Sequence, residues 1–523
     1  MYNAHTPNEL FELHASLILV SGDGPASADA IGMKKPGVAQ RPCHHCLIPG
    51  TRAPTGTLYY IAHRTEDFDQ GLPVRVGLRT GLAAFGQIES AGVKKRTSAQ
   101  YGFTRSTSLL RLRTLSFPNS FPLDLMHCVL INIAKQQHGL YGGKLSQKQT
   151  AESAFGSWPH ILHKTRWEEI GRIQQASRRT IPAALGQGPR PVDRRWGSYK
   201  AMEWRDFICR DGVTLLSYAA SKQPGFRPYL QHFCLLRKIY RTATSWSISP
   251  ADIKSLRANC VLFVRLWEDH YYGNDPNRLQ NCKINIHSLL HLADHIEDLG
   301  PATAWWATPM ERYIGVLKGL VTLMSNMDMD LANRSIMMEH LNHLAVDFEE
   351  LHTPLSGPPS RTDTYPRAPG DRSLEYGRSG NELINDWRRL LVGMFPGSQQ
   401  EFPINYQNGR TRLWKKYYLR HRYQIGSEES QATAPFNSRN DSYVWWYEGT
   451  RRRYGLVEIF AECWDWEAMA IVKPFRNTSE DLETGTVVVL DALGARKCVR
   501  VCEIGGLVGR IEIEGKTYLV GDW

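Results

Sequence analysis

Two cysteines that flank a pair of histidines are the first candidates for chemistry in this sequence. Cys43 and Cys46 enclose His44 and His45 and are followed by a Pro-Gly turn. Thiolates at this spacing can reach one tetrahedral zinc ion without strain. The two enclosed histidines do not complete such a site, because four consecutive residues cannot surround a tetrahedral ion. The motif predicts half of a zinc site, whose remaining ligands must come from elsewhere in the chain.

A second group of candidate ligands lies in the segment CKINIHSLLHLADHIEDLG. His287 and His291 are four residues apart and share one face of a predicted helix. His295 extends that face by one turn and is an alternative ligand. The competing interpretation is structural, with these histidines lining a helix that packs against its neighbours. Residue types alone leave the two interpretations open.

The elements that must position these residues are mostly helices. Asp23 follows a short apolar strand predicted at residues 16–20, and a strand that delivers a carboxylate to its C-terminal edge is common in active sites. From Phe121 the hydrophobic pattern becomes helical, and further amphipathic stretches follow it. One of these helices begins with Ser249 as N-cap and Pro250 in the first helical position. The middle third of the chain is therefore predicted to be mostly α-helix.

Composition is typical of a large globular protein. The chain has 523 residues, more than one hydrophobic core accommodates, which predicts two to four domains. Neither a long apolar stretch nor a secretory signal is found, so we expect an intracellular protein without a membrane span. The ten cysteines are too dispersed for a disulfide scaffold. A net charge of +11 favours polyanionic partners such as nucleic acid.

The chain changes character in its C-terminal part. Residues 351–380 are rich in Pro, Gly, Ser and Arg and are predicted to be a linker. Residues 381–425 are predicted to hold short helices and a basic aromatic stretch, for which a solvated basic surface is the alternative to nucleic-acid binding. Residues 440–523 alternate apolar and polar residues between glycines, which predicts a small antiparallel β-barrel of five to seven strands. The candidate nucleic-acid ligands are Arg410, Arg412, Trp414, Lys415, Lys416, Tyr418 and Arg420.

Several motifs together resemble one family. They are the apolar strand with the following GDGPA, the CHHC motif, FPLDLMHCVLINIA, NIHSLLHLADHIEDLGP and MERYIGVLKGL. In this order they resemble the transposases of CACTA (En/Spm-type) DNA transposons over residues 11–350. That family is similar to the catalytic core of the V(D)J recombinase. The resemblance implies an α/β fold for residues 1–350, namely a truncated, partial RNase H-like (DDE) core interrupted by an all-α insertion at about residues 47–300.

The resemblance also implies roles for individual residues. A CxxC motif and a paired histidine motif bind one zinc ion in such proteins. Asp23 would be the second catalytic carboxylate, 20 residues before Cys43, and Glu311 the third, 20 residues after His291. Catalysis in this class uses two divalent ions, usually Mg²⁺. The structural alternatives are a turn residue for Asp23 and a helix N-terminal acid for Glu311. The implied zinc ligands are Cys43, Cys46, His287 and His291.

The first catalytic carboxylate of the family has no counterpart in this sequence. The 22 residues before Asp23 contain Glu9 and Glu12 but no Asp. The Mg²⁺ site would then lack a bridging ligand, so we expect the chain as given to be catalytically inactive. A gene model that is cut at its 5′ end and a decayed or repurposed element both fit this expectation.

Four residues near these motifs have competing interpretations. Asp124 and His127 resemble a motif common in the family, but a structural role, such as capping the first insertion helix, is favoured over catalysis. Trp305 and Trp306 precede Glu311 and could stack on a base. Buried core tryptophans are the favoured interpretation.

Three hypotheses about function follow. The first is a remnant of a DDE-type transposase, located in the nucleus, with DNA as partner, zinc as structural metal and possible self-association. The second is a non-catalytic DNA- or chromatin-binding protein derived from such a transposase. The third is a zinc-stabilised helical interaction protein whose acidic residues are incidental. None of the three involves a membrane or a small-molecule substrate.

Overall fold

The chain divides into two units. Unit 1 comprises Met1–His163 and Gly225–Tyr313, and unit 2 comprises Lys164–Pro224 and Ile314–Trp523. This division differs from the single region 1–350 predicted from the sequence, because a segment from the middle of the helical region belongs with the C-terminal strands. The computed structural model describes residues 14–35, 38–53, 56–62, 75–146, 149–150, 158–321, 326–347, 411–414, 416–419, 423–428, 439–463, 468–481 and 483–521.

Helices dominate unit 1 and recur in unit 2. The α-helices of the described residues are α1 (Gly24–Ile31), α2 (Leu78–Gly86), α3 (Ala91–Tyr101), α4 (Lys135–Tyr141), α5 (Lys164–Ala176), α6 (Val192–Arg195), α7 (Ala201–Asp206), α8 (Gly212–Lys222), α9 (Arg227–Ala243), α10 (Pro250–Trp267), α11 (Ile284–Ser288), α12 (Leu292–Leu299), α13 (Thr308–Leu320) and α14 (Met327–Asp347). A π-helical segment, Met126–Ala134, runs directly into α4. The helical character predicted for the middle of the chain is confirmed.

Helix α10 shows why this region is helical. Ser249 Oγ accepts a hydrogen bond from the Asp252 amide at 3.2 Å, and the Asp252 carboxylate accepts one from the Ser249 amide at 3.0 Å. This capping box satisfies two amides at the start of the helix, so the predicted N-cap is confirmed. The side chains that α10 buries recur every three or four residues and form one apolar face: Leu256, Cys260, Phe263, Val264 and Trp267.

A smaller core in unit 1 surrounds α1. Ile31 of α1, Leu82 and Phe85 of α2, and Phe103 are buried together in this core. Residues 16–20, which precede α1, were predicted to be a strand, and this prediction is wrong. They form no strand, and Ile18 is 69% exposed. An isolated apolar run needs a neighbouring strand to pair with, and none lies beside it in the described residues.

Strands account for most of the described residues of unit 2 after α14. The strands of both units are β1 (Thr51–Arg52), β2 (Leu58–Tyr59), β3 (Lys144–Ser146), β4 (Gln149–Thr150), β5 (Thr411–Trp414), β6 (Lys416–Leu419), β7 (Tyr423–Gly426), β8 (Tyr443–Glu448), β9 (Arg451–Cys463), β10 (Met469–Pro474), β11 (Thr478–Asp481), β12 (Thr486–Val489), β13 (Lys497–Arg500), β14 (Ile504–Leu507), β15 (Gly509–Ile513) and β16 (Lys516–Val520). In unit 1 only the short hairpins β1–β2 and β3–β4 are described. The RNase H-like core therefore stays a prediction.

The C-terminal strands are antiparallel, as predicted. One sheet has the order β13-β10-β9-β8-β14, with β5 also paired to β9, and the other has the order β11-β12-β16-β15. The edge strands β13 and β14 are separated by only the 3₁₀ turn Val501–Glu503, which advances the chain by about 6 Å. The edges of a flat sheet of five strands would lie about 19 Å apart. This sheet must therefore curl, but no ladder joins its edges, so the described strands do not form the predicted closed barrel.

Two parts of the C-terminal prediction fall elsewhere. The linker 351–380 and the short helix expected after residue 381 lie outside the described residues. The described parts of the basic aromatic stretch are the strands β5, β6 and β7, and β6 pairs with β7. Within the described residues, no helix combines the length and apolarity that a membrane span requires.

Candidate metal centre and adjoining cleft

A buried guanidinium holds the loop that carries the two candidate cysteine ligands. Arg75 donates from Nε to the carbonyl of Cys43 at 2.8 Å and from a terminal nitrogen to the carbonyl of Arg41 at 2.7 Å. Its backbone amide donates to the carbonyl of His45 at 2.9 Å. The planar fork of arginine can bind several carbonyls at once, so Arg75 fixes the loop. Sequence reasoning missed this residue, because no motif surrounds it.

The two histidine ligands come from the start of a helical pair. His287 lies in α11, and His291 ends the 3₁₀ turn that joins α11 to α12. Both cysteines and His287 are buried, and His291 is partly buried. The helical phase of this segment places the two imidazoles on the same side, as the four-residue spacing predicted.

The four side chains converge on one point. Cys43 Sγ lies 3.4 Å from His291 Nε2, and Cys46 Sγ lies 3.3 Å from His287 Nε2. The two Nε2 atoms are 3.2 Å apart, and all four ligand atoms lie within 4.8 Å of one another. A tetrahedral zinc ion would require S–N separations of about 3.6 Å and N–N separations of about 3.3 Å. The observed distances fall within about 0.3 Å of these values, so the cluster could bind a metal ion such as zinc.

The electrostatics of the cluster favour a thiolate at Cys43 and a neutral imidazole at His287. Burial raises the pKa of the Cys43 thiol, but the hydrogen bond from Cys46 and the charge of His291 outweigh it and hold this pKa well below its usual value. The same hydrogen bond raises the pKa of Cys46. Burial lowers the pKa of His287. A thiolate and a neutral imidazole are the forms that bind metal.

The third histidine of the segment has a different role. His295 Nδ1 accepts a hydrogen bond from the backbone amide of Leu123 at 3.2 Å. Its other nitrogen, Nε2, lies 3.2 Å from Nε2 of His45. Because Nδ1 is an acceptor, the neutral ring carries its proton on Nε2 and donates it to His45. Both ring nitrogens are thus engaged, so His295 is not the fourth ligand in this arrangement.

A cleft of about 500 Å³ adjoins the metal centre. Asp23, Asp124 and His127 line it, together with residues of the CHHC loop. Asp23 does not end a strand. It is the N-cap of α1, and its Oδ1 accepts the Ala26 amide at 2.6 Å. A carboxylate immediately before Gly-Pro is well suited to this position.

Asp124 organises the opposite side of the cleft. Its Oδ2 accepts hydrogen bonds from the His127 amide at 2.8 Å and from His127 Nδ1 at 2.5 Å. Its Oδ1 accepts the Ala307 amide at 2.7 Å, just before α13. The expected capping role of Asp124 is thus confirmed, and the same carboxylate orients His127. His127 Nε2 in turn lies 3.7 Å from Glu311 Oε1.

His127 is therefore close to one of the predicted catalytic carboxylates, Glu311, and its pKa responds to the charge of the other, Asp23. The hydrogen bond that His127 donates to Asp124 raises the pKa of His127, and the charges of Asp23 and Glu311 act in the same direction. The carboxylates themselves do not form a ready Mg²⁺ site. Among the described residues, the only metal-binding group found is the Cys/His cluster, which contains no carboxylate. The residues present do not fit the Mg²⁺ ions that the resemblance implies.

The remaining predicted residues have mixed outcomes. Trp305 is 5% exposed and donates from Nε1 to the Gly300 carbonyl at 3.0 Å, as expected for a core tryptophan. Trp306 is partly buried. Among the basic aromatic candidates, only backbone positions are described for Arg412, Trp414, Lys416 and Tyr418. The others, Arg410, Lys415 and Arg420, lie outside the described residues, so a nucleic-acid role for this stretch stays a prediction.

Comparison with known proteins does not assign the chain to a family. No protein-family model matches the chain, and a search of curated proteins found no match.

Proposed function

We propose that this protein is a transposase-derived DNA-binding protein with a structural zinc site in unit 1. One observation carries the proposal. Cys43 and His291 lie 248 residues apart in the sequence, and Cys46 and His287 lie 241 apart, yet their ligand atoms converge. Chance rarely brings a CxxC pair and an i, i+4 histidine pair to tetrahedral distances. The CACTA transposase resemblance specifies this same pairing.

Zinc is the proposed metal because of the donor set. Two thiolates and two imidazoles are typical of zinc, whereas Mg²⁺ and Ca²⁺ prefer oxygen ligands. All four positions are filled by protein atoms, so no position is open for water or substrate, and the ion is structural. It would join the loop before β1 to the α11–α12 region across the helical part of unit 1.

DNA is the proposed partner, and the nucleus is the compartment that follows from it. The support is the net charge of +11 and the transposase resemblance. Catalysis is not part of the proposal. The described residues offer Asp23 and Glu311, and no cluster that joins them to a third metal-binding side chain is found among those residues.

Metal analysis and DNA binding test the proposal together. Purified full-length protein should contain one zinc ion per chain by plasma mass spectrometry, and Cys43→Ser/Cys46→Ser should contain none. A fluorescent duplex DNA should bind the wild type, with affinity that falls as salt rises. Zinc without DNA binding would instead support a zinc-stabilised interaction protein, and absence of zinc would refute the metal site.

A strand-cleavage assay tests the catalytic part. With Mg²⁺ or Mn²⁺ and a labelled duplex, we expect no cleavage above background. Robust cleavage that Asp23→Asn abolishes would refute the expected inactivity. Cleavage that Asp23→Asn leaves unchanged would indicate a contaminating nuclease, which a second purification step removes.

A further inference from the structure

The segment of unit 1 that follows the metal-binding loop is strongly basic. Residues 75–119 contain eight Lys or Arg residues and a single acidic residue, Glu89. They form α2, α3 and the 3₁₀ turn Ser108–Arg111. Such an imbalance is far larger than that of the whole chain, in which 63 basic residues face 52 acidic ones. The charge is therefore concentrated in one part of the unit.

Three of these cations form hydrogen bonds or an ion pair within unit 1. Arg75 binds carbonyls of the metal-binding loop. Arg79 donates to the carbonyls of residues 110, 112 and 115 and so fixes the chain after the 3₁₀ turn. Arg105 pairs with Asp29 of α1 at 3.0 Å. These three need no external partner.

The other five cations have no ion pair within the described part of the chain. Lys95, Arg96, Arg111 and Arg113 are exposed, and Lys94 lies partly buried with its Nζ 5.5 Å from the centre of the Phe85 ring. Lys94, Lys95 and Arg96 are consecutive, and Arg111 and Arg113 are two residues apart. Like charges therefore lie close together in each stretch, which is unfavourable unless counterions or a polyanion screen them.

Helix α3, which carries Lys94, Lys95 and Arg96, has no apolar face. It is N-capped by Ser90, whose Oγ accepts the Val93 amide, and it buries no side chain. A helix without an apolar face gains little from packing against its own unit. It also lacks the apolar face with which a helix enters a membrane surface. Its side chains are therefore available to a hydrophilic, negatively charged partner.

The position of α3 links it to the cleft. The carbonyl of Tyr101, its last residue, accepts a hydrogen bond from Arg75 at 3.3 Å. The next carbonyl, that of Gly102, accepts the Lys34 amide at 2.6 Å, and Lys35 lines the cleft. With a rise of about 1.5 Å per residue, Arg96 lies about 8 Å along the axis from Tyr101. The cations are thus anchored to the wall of the cleft.

We propose that α3 and the Arg111–Arg113 turn form the surface of unit 1 that binds the phosphate backbone of duplex DNA beside the cleft. This inference rests on the proposed DNA-binding function and names the surface that carries it. Each phosphate contact should contribute about 0.9 to the slope of log K against log salt. Three contacts from α3 would contribute about 2.7 to that slope, which is about a 40-fold change in affinity between 50 and 200 mM salt.

Charge removal on α3 tests the proposal. The variant is Lys94→Gln/Lys95→Gln/Arg96→Gln. The matched control removes three exposed cations elsewhere in unit 1, and its changes are Arg227→Gln, Lys238→Gln and Lys254→Gln on α9 and α10. Both variants should keep the zinc content and the thermal transition of the wild type. The salt slope for a fluorescent 30-base-pair duplex, measured by anisotropy, should fall by about 2–3 for the α3 variant and by less than one for the control.

The outcomes separate this inference from the proposed function. If the wild type binds no duplex, both proposals fail. If it binds, but the α3 variant and the control have equal slopes, the α3 surface is refuted and the DNA-binding function stands. If the α3 variant keeps duplex binding but loses binding to single-stranded RNA or to phosphatidylserine vesicles, the surface serves another polyanion and the inference is overturned.

Discussion

Replacing Arg75 should weaken the metal centre although Arg75 touches no metal ligand atom. In Arg75→Met the carbonyls of Cys43, Arg41 and Tyr101 lose their donor. The bond to Cys43 is buried, and a hydrogen bond to a charged group contributes about 1.5–3 kcal/mol. The other two are partly buried and contribute about 0.5–1.5 kcal/mol each. The free energy of unfolding should therefore fall by about 2.5–6 kcal/mol.

The effect on metal binding is more specific than the effect on stability. Arg75 holds the backbone on which both thiolates are mounted, and partners of this kind usually change metal affinity by about 10–100-fold. Competition with a chromophoric chelator measures this affinity, and urea unfolding of the zinc-loaded and the chelated protein measures stability. Arg75→Lys keeps the charge but not the fork, so it should fall between the wild type and Arg75→Met.

Arg79→Met is the matched control for this experiment. Arg79 also donates to three carbonyls of unit 1, but none of them belongs to the metal-binding loop. It should therefore lower stability without changing zinc affinity. If Arg75→Met holds zinc as tightly as Arg79→Met does, then Arg75 does not position the ligands and our reasoning about the loop is wrong.

Three further predictions concern histidines of unit 1. His291→Ala should lose zinc, whereas His295→Ala should retain it by mass spectrometry, because His295 is engaged by Leu123 and His45; equal loss from both would contradict this assignment. Burial lowers the pKa of His232 to about 3, so the unfolded state binds an extra proton as pH falls below about 6.5. The stability that neutral His232 contributes is present above that pH, and the wild type should lose about 2 kcal/mol more than His232→Gln between pH 7.5 and 5 in urea titrations; parallel curves would refute this. Asp124→Asn should lower the pKa of His127 in an NMR titration of labelled histidine, because the hydrogen bond that His127 donates to the Asp124 carboxylate raises this pKa; an unchanged pKa would refute the link.

Local features of the sequence predicted the parts of the fold that depend on local physics. The cap at Ser249 and the apolar face of α10 depend only on residues that are close in sequence, and the structure contains both. The metal ligands were predicted because zinc requires four donors and each pair has a spacing that one element can satisfy. Their convergence across 241 residues came only from the resemblance.

Features that depend on distant partners were not predictable in this way. Residues 16–20 are as apolar as a buried strand, but an apolar run does not reveal whether another strand lies beside it. The choice between His291 and His295 depended on the Leu123 amide, which is distant in sequence. The alternating pattern after residue 440 predicted antiparallel strands but not whether the edges β13 and β14 pair with each other.

The proposed metal centre would also determine the order in which unit 1 can be completed during synthesis. Its thiol ligands leave the ribosome 241 residues before the first histidine ligand, and the chain emerges at about 5–20 residues per second. The two cysteines therefore remain without their imidazole partners for about 10–50 s after they are made. During that interval residues 164–224, which belong to unit 2, are made. Loading of the proposed zinc ion would consequently be a late step of folding, and the nascent thiol pair would be most exposed to oxidation before it.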